Sequence, residues 1–260
     1  MNRVLTIVFL FSCAALQAQM RYTRLVLQPK QKLAFEAQSD ILVADTLILK
    51  DSAVIQLNNL RTENFIRTRV LRVEGTAFIM GGGAFGQPGR PGRPGASGQG
   101  PCQHGQNGQP GQNGLPGVSG VNLALYSDEV IIDKHLVINL SGGNGGSGGK
   151  GGRGGDGSTG TIHCNGGNGG NGGMGGKGGD GGNGGNFIFQ GARALVLREW
   201  TGSKIIIRND GGQPGSGGKG GLPGLGGPGP NRRYGRNGFT GPDGPAGLHG
   251  KPGTITFRTN

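Results

Sequence analysis

Glycine occupies every third position, without a miss, in six separate runs of the chain, and the runs come in three pairs. We number them in chain order: run 1 is 83–98, run 2 is 105–120, run 3 is 142–157, run 4 is 166–184, run 5 is 212–227 and run 6 is 235–253. A period of three is the period of the extended left-handed helix, which has no internal hydrogen bonds. We therefore predict that each run is a polyglycine II helix and that each pair forms a hairpin.

The glycine pattern also predicts how these helices pack. Their N–H and C=O groups point outward, so on burial each must pair with a neighbouring helix. Backbones approach closely enough for that pairing only where glycine removes the Cβ atom. Runs 3 and 4 are nearly pure Gly-Gly-X, whereas runs 1, 2 and 6 are mainly Gly-X-Y. The middle hairpin thus has two approachable faces, and we predict a six-helix bundle of two layers with the hairpins stacked in chain order.

Two other interpretations of the runs stay open. Glycine-rich sequence is often a flexible linker, although a linker needs neither strict phase nor paired arms of matched length. Gly-X-Y triplets such as Gly89-Arg90-Pro91 also allow a collagen triple helix, but the runs are short for collagen and Gly-Gly-X lacks its prolines. The intramolecular bundle accounts for both the phase and the pairing.

The segments between the hairpins are internal repeats of a β-rich pattern. Each repeat carries an apolar triplet, a polar corner and a second β-branched stretch, with a further short strand ahead of it. The repeats are 45–59, 69–83, 128–143 and 193–212, the strands ahead of them are 40–44, 64–67, 121–127 and 186–190, and 254–258 fits the same place at the end. Repeats that cannot bury a face alone indicate a solenoid.

We predict an all-β fold with non-regular glycine-rich helices, in which the repeats form a short parallel β-solenoid base of about four to five rungs, each of about three strands. Successive rungs lie about 4.8 Å apart, so hairpins that leave one corner of three rungs would emerge side by side. An antiparallel sandwich is the alternative. The predicted boundaries are 1–18 for a signal peptide, 19–82 for N-terminal rungs, 83–120 for hairpin one, 121–141 for a rung, 142–185 for hairpin two, 186–210 for a rung, 211–253 for hairpin three and 254–260 for a final strand.

The N-terminal segment has the pattern of a secretory signal peptide. A basic n-region and an apolar h-region precede small residues, and we expect cleavage after Ala18. Leu10-Phe11-Ser12-Cys13 also resembles a lipobox, so lipid anchoring at Cys13 is the alternative, although bulky Phe11 departs from the common pattern. No other long apolar stretch is present, and we expect no transmembrane segment. The predicted location is therefore secreted or on the outer cell surface.

Two cysteines remain after removal of the signal peptide, and both lie in predicted hairpin tips. An exported protein can form disulfides, and adjacent tips would lie side by side, so we predict a bridge between Cys102 and Cys164. The alternatives are two free thiols, or a zinc site completed by His104 and His163. The spacing of these four residues matches no standard zinc finger, so we expect no metal and no cofactor.

The net charge of the chain and the motifs that it lacks limit the possible classes of function. The formal net charge is +12 at pH 7, which favours anionic partners. Aromatic residues make up 5% of the chain and no nucleic-acid-binding motif is recognisable, so we expect no nucleic-acid partner. No paired carboxylates and no nucleophile–base arrangement occur at suggestive spacing, and we predict that the protein is not an enzyme.

The Gly-Gly-X runs resemble two groups of polyglycine II helix-bundle proteins, the snow flea antifreeze type and the adhesin type found on phage tail fibres. The Gly-X-Y triplets are similar to collagen-like segments. The resemblance covers roughly 83–253 and lies in periodicity, and it does not extend to the strand repeats. It implies a helix bundle, with either ice binding or the display of receptor-reading loops as its function.

The residues at the X positions favour display over ice binding. An ice-binding face should be flat and uncharged, but hairpin two carries Lys150, Arg153, Asp156, Lys177 and Asp180. In the display hypothesis the runs present three tips together, which we name tip one (99–104), tip two (158–165) and tip three (228–234). Loops on a rigid scaffold are common binding sites.

We therefore expect a monomeric structural or adhesion protein whose tips bind an anionic glycan or another surface polymer. The first candidate contact residues are Arg232, Arg233 and Tyr234, in the one dense basic cluster of the chain. Gln103, His104 and His163 are weaker candidates. The alternatives are an ice-binding protein and a collagen-like component of the extracellular matrix.

Overall fold

The computed structural model describes residues 19–35 and 39–259, so the predicted signal peptide and Cys13 lie outside the described residues. The described chain forms eleven β-strands, one α-helix and one short 3-10 helix. The elements are β1 Gln19–Leu27, β2 Lys32–Ala34, β3 Ile41–Leu49, β4 Val54–Gln56, β5 Glu63–Val73, β6 Thr76–Met80, β7 Asn122–Ile132, β8 His135–Asn139, β9 Phe187–Gln190, α1 Ala194–Glu199, β10 Ile205–Arg208, the 3-10 helix Pro230–Arg232 and β11 Ile255–Arg258.

The strands form two parallel sheets, and the chain alternates between them. The odd-numbered strands make a six-stranded sheet in the order β1-β3-β5-β7-β9-β11. The even-numbered strands make a five-stranded sheet in the order β10-β8-β6-β4-β2. Every pairing between these strands is parallel. The all-β class and the parallel pairing are thus confirmed, and the antiparallel sandwich is wrong.

Each repeat contains two strands, where the sequence predicts about three. The two strands predicted at 64–67 and at the start of 69–83 are one continuous strand, β5. Its ladder with β3 pairs Ala44 with Thr68 and then Thr46 with Val70, so one residue on each strand is passed over. The Thr68 hydroxyl crosses this interruption by donating to the Val70 carbonyl oxygen at 2.9 Å. The sequence signal for a corner therefore marks an interruption within a long strand.

Two elements differ from their predictions. Strands β1 and β2 form an additional repeat ahead of the first predicted one. The segment Ala194–Glu199, which we predicted as a strand, is helix α1. Alanine, leucine, arginine and glutamate favour a helix, and Ala194 and Leu197, three positions apart on one helical face, are both buried.

A single hydrophobic core joins the two sheets. Alternate residues of each strand point to opposite faces, so in the middle strands of both sheets about every second side chain reaches this core. Its fully buried members include Leu47, Leu71 and Ile66 from the six-stranded sheet and Ile55 and Ile79 from the five-stranded sheet. Burial of one such side chain contributes roughly 1.5–3 kcal/mol, so the strands supply the apolar burial that the glycine runs lack.

The three hairpins leave from neighbouring strands and return to neighbouring strands. They follow β6, β8 and β10, which are adjacent in the five-stranded sheet, and they lead into β7, β9 and β11, which are adjacent in the six-stranded sheet. Parallel strands lie about 4.8 Å apart, so this arrangement starts the glycine runs close together and in register.

Backbone hydrogen bonds join the six runs into two layers. Runs 1, 3 and 5 form the first layer, in which the Gly86 N–H donates to the Asn144 carbonyl oxygen at 2.8 Å and Gly145 donates to Gln213 at 2.9 Å. Runs 2, 4 and 6 form the second layer through equivalent bonds. Hydrogen bonds between antiparallel runs join the two layers. For example, the Gly149 N–H in run 3 donates to the Gln112 carbonyl oxygen in run 2 at 2.8 Å.

The Gly-Gly-X pattern of run 3 follows from its position in the middle of the first layer. From Gly145 onward the first glycine of each triplet donates to run 5, and the second donates to run 2. A Cβ atom on Gly145 would overlap the Gly179 carbonyl oxygen, and one on Gly146 would overlap the Gln87 carbonyl oxygen. Both positions therefore require glycine for the same reason, which is the approach of another backbone.

Polar residues that follow the glycines of the runs hold neighbouring runs in register. Asn107 Oδ1 accepts from the Asn171 backbone N–H at 2.7 Å, and Asn171 Oδ1 accepts in turn from the Phe239 N–H at 2.9 Å. Asp180 Oδ1 accepts from the Leu248 N–H at 2.9 Å and from Lys177 Nζ at 3.0 Å. These two donors lower the pKa of the Asp180 carboxyl below its ordinary value. The asparagines and aspartates of the runs thus stabilise the layers through side-chain to backbone bonds.

The substitution Gly149→Ala tests the close approach of the runs. Its Cβ atom would overlap the Arg90 carbonyl oxygen, and no rotamer change can relieve a clash of Cβ with backbone. We expect the free energy of unfolding to fall by roughly 1–3 kcal/mol or more, measured by chemical denaturation. Ser147→Ala, at an exposed position of the same run, is the control and should change it by less than about 0.5 kcal/mol. Equal stability of both variants would contradict the packing.

Candidate functional site

The three tips lie side by side and are tied together by backbone hydrogen bonds. Cys102 N–H in tip one donates to the Thr159 carbonyl oxygen in tip two at 2.9 Å. Gly160 N–H in tip two donates to the Pro228 carbonyl oxygen in tip three at 2.7 Å, and the Arg233 carbonyl oxygen accepts from the Gly166 N–H at 2.9 Å. The ends of the three hairpins therefore make one continuous surface.

A disulfide links tip one to tip two, as predicted. The Cα atoms of Cys102 and Cys164 lie 6.1 Å apart, within the usual range for a bridge. The bond leaves no thiolate for the alternative zinc site. Across 19–35 and 39–259, the structure contains no group of three histidine, cysteine, aspartate or glutamate residues placed to hold a metal.

Two of the predicted contact residues have structural roles in tip one. Gln103 Oε1 accepts from the backbone N–H groups of Gln99 at 3.2 Å and Gly100 at 3.0 Å, which closes the loop. His104 Nδ1 accepts from the Asn168 N–H at 2.7 Å. Asn107 makes the equivalent bond three residues further along, where its Oδ1 accepts from the Asn171 N–H. A ligand contact by either residue stays a prediction.

Tip three presents its predicted contact residues to solvent. The short 3-10 helix Pro230–Arg232 turns the chain, with Asn231 and Arg232 in the left-handed region at φ 52° and 63°. Arg232 and Arg233 are exposed, and Tyr234 is 63% exposed. His163, the remaining candidate, is exposed in tip two. The structure thus brings His163 and the Arg-Arg-Tyr group to the same end of the hairpins.

Further residues at this end were not identified from the sequence. Ile162 in tip two is 76% exposed, an unusual state for isoleucine in a short polar loop. Arg236 and His104 both bind Asn168. The Arg236 N–H donates to Asn168 Oδ1 at 2.8 Å, and the Asn168 N–H donates to His104. A shallow cavity of about 310 Å³ lies beside the disulfide and is lined by Gln99, Gly100, Pro101, Ser158, Thr159, Gly160 and Thr161. Of these features, only Ile162, an apolar residue in a polar loop, could have been recognised from the sequence.

Charge is distributed unevenly over the hairpins. Residues 83–120, 142–185 and 211–253 contain ten lysines and arginines and three aspartates. Each aspartate is ion-paired, Asp156 with Arg153 at 2.7 Å, Asp180 with Lys177 at 3.0 Å and Asp243 with Lys219 at 2.8 Å. Seven cations of the hairpins therefore have no carboxylate partner among the described residues. Three of the seven, Arg232, Arg233 and Arg236, lie in or directly beside tip three.

Removal of the disulfide by the double substitution Cys102→Ser/Cys164→Ser tests its role at the tips. The bridge closes a loop with a sequence separation of 62 residues, and a loop of that length corresponds to a stabilisation of about 4 kcal/mol. We expect the variant to lose a large part of that stability in denaturant titrations, and reduction of the wild type to have the same effect. Unchanged stability in both experiments would show that the bridge does not constrain the tips.

Comparison with known proteins gives a weak structural match. No protein-family model matches it, and no curated protein matches its sequence. Among solved structures it is similar to a springtail antifreeze protein from Granisotoma rainieri, described as a nine polyproline type II helical bundle whose crystal waters match the ice lattice. The two chains are 22% identical over 58% of this chain and 93% of that chain, with a TM-score of 0.09, too low to support an argument about fold or function. No helix in the described residues is long and apolar enough to cross a membrane.

Proposed function

We propose that the protein is a non-enzymatic adhesion or display protein, secreted or held at the outer cell surface, whose tips bind an anionic glycan or another anionic surface polymer. The observation that carries this proposal is the exposed group of Arg232, Arg233 and Arg236 with exposed Tyr234 among them, at the same end of the hairpins as exposed Ile162. All three aspartates of the hairpins are neutralised by other cations, so the field at the tips is positive.

In this proposal the runs are polyglycine II helices, and together they form a six-helix bundle on a short parallel β-solenoid. The triplet period of glycine and the donation of every third N–H to a neighbouring run support the helix type. The alternation of the chain between two parallel sheets supports the solenoid. At about 3.1 Å per residue, run 1 would extend the tips roughly 50 Å from the strands.

The exposed side chains of tip three suit recognition of an acidic sugar. Guanidinium groups form strong, often bidentate, hydrogen bonds with carboxylates and other oxyanions. A tyrosine ring offers an apolar face with a polar end, so Tyr234 could pack on a sugar ring while the arginines bind its acidic group. Arg233 and Tyr234 are adjacent in sequence and both exposed, which supports the recognition of one sugar unit by both types of group.

The disulfide between Cys102 and Cys164 supports export, because such bonds form and persist mainly in oxidising compartments. In our proposal residues 1–18 direct that export, with cleavage after Ala18 or lipid attachment at Cys13. The hydrogen bonds that join the runs within one chain favour an intramolecular bundle over a collagen-like trimer. The charged side chains of Lys150 and Arg153, both exposed on the first layer, disfavour ice binding.

The double substitution Arg232→Ala/Arg233→Ala tests the binding role of the tips. Each charge-assisted hydrogen bond contributes roughly 1.5–3 kcal/mol, so we expect affinity for immobilised polygalacturonate or heparin to fall at least about tenfold. Thermal stability should stay unchanged, because both side chains are exposed.

The control for this test is Arg90→Ala/Lys251→Ala, which removes the same charge roughly 30 Å and 50 Å along the runs from the tips. It should change affinity much less than the tip variant. An equal loss in both variants would mean that net charge alone drives binding, and no loss in the tip variant would reject the proposal. Neutral dextran serves as the negative ligand.

A further inference from the structure

The outer face of the six-stranded sheet carries two adjoining cavities of about 420 Å³ each. They share Val43, Arg67 and Tyr126 in their linings, so together they form one open groove across the sheet. This groove is separated from the tips by the length of the glycine runs, roughly 50 Å. It has no part in the proposed function of the tips.

The register of the parallel strands places the side chains of the groove in one row. Arg21 pairs with Val43, Val43 with Arg67 and Arg67 with Tyr126 along consecutive strands. The next strand continues the row, since Tyr126 pairs with Gln190. The residues just before this row, among them Leu42, Ile66 and Leu125, are fully buried in the core, so the row itself faces outward.

A second, more apolar row lies beside the first. Ile41 pairs with Phe65, and Phe65 pairs with Ala124, two residues earlier on the same strands. Ile41 and Phe65 line one of the two cavities together with Arg21, Arg67 and Tyr126. The groove thus combines an apolar floor, half-buried aromatic side chains and a row of hydrogen-bonding groups.

The interruption of the strand ladder forms the other side of the groove. The residues passed over there, Asp45, Arg69 and Asp128, are all exposed and line the second cavity with Gln190. The groove therefore holds three arginines against two carboxylates. No ion pair joins Arg21 or Arg67 to a carboxylate among the described residues, which leaves both guanidinium groups available to an anion.

We propose that this groove binds an acidic sugar unit of a polysaccharide, with the ring against Tyr126 and its acidic group on Arg67. A sugar ring presents an apolar face, which suits an aromatic side chain and the apolar row. A carboxylate or sulfate group suits the planar guanidinium of Arg67, and Gln190 and Asp128 supply an amide and a carboxylate for ring hydroxyls. Charge complementarity thus selects an acidic over a neutral sugar.

Calorimetry with the full mature chain tests this site, with three probes: trigalacturonate, a sulfated heparin tetrasaccharide and neutral maltotriose. All variants are made in the Arg232→Ala/Arg233→Ala background, so that binding at the tips does not contribute. We expect binding of trigalacturonate, of the heparin tetrasaccharide or of both, and these two probes distinguish carboxylate from sulfate recognition. Maltotriose should bind at least about tenfold more weakly.

Arg67→Gln and Tyr126→Ala should each weaken binding of the preferred probe about tenfold, while Tyr126→Phe should retain most of it. Arg24→Gln, exposed on β1 outside both cavities, is the matched control and should have no effect. If Tyr126→Ala fails to fold, Arg67→Gln carries the test alone.

Three outcomes would overturn the site: no binding of either acidic probe, equal binding of maltotriose, or equal affinity of Arg67→Gln and Arg24→Gln. Sedimentation that shows a dimer disrupted by Arg67→Gln would also overturn it, since the groove would then hold a second copy of the chain. Unchanged polymer binding in the Arg232→Ala/Arg233→Ala variant, together with probe binding that Arg67→Gln weakens, would contradict only the proposed function of the tips.

Discussion

The rest of the structure depends on backbone hydrogen bonds between glycine runs that approach one another without Cβ atoms. Each run donates at every third residue, and in the middle hairpin both glycines of a triplet are used in this way. A Cβ atom at Gly149 or Gly176 would overlap a carbonyl oxygen of the facing run. The runs bury little apolar area and glycine loses much conformational freedom on folding, so these bonds have to hold the layers together.

The bonds form only if the runs start close together and in phase, which is the contribution of the strands. The apolar core between the two sheets holds β6, β8 and β10 side by side, and hairpins one, two and three begin directly after them. At the far end the disulfide between Cys102 and Cys164 fixes the tips. The runs are thus held at both ends, and asparagine and aspartate side chains such as Asn171 and Asp180 keep adjacent runs aligned along their length.

The sequence predicts the parts of this structure that repeat locally, and it fails where the outcome depends on distant neighbours. The β-rich repeats follow from short-range pattern, and the cysteine pair follows from the hairpins, whose paired runs place Cys102 and Cys164 in adjacent tips. Strand β1 was missed because Arg21, Tyr22 and Arg24 obscure its apolar pattern, and α1 was missed because its apolar residues suit a strand equally well. Within the tips, the Arg-Arg-Tyr group could be predicted because its residues are consecutive in the sequence. The row of Arg21, Arg67 and Tyr126 could not be found, because only strand register brings it together.

Amide hydrogen exchange of the native protein, resolved by residue in run 3, tests the central claim most directly. The N–H groups of Gly146, Gly149 and Gly152 are bonded to run 2 and buried, so their exchange should be strongly slowed. Those of exposed Ser147 and Lys150 have no acceptor among the described residues and should exchange fast, which gives protection with a period of three. Uniform exchange along run 3 at the rate of a random peptide would contradict the account.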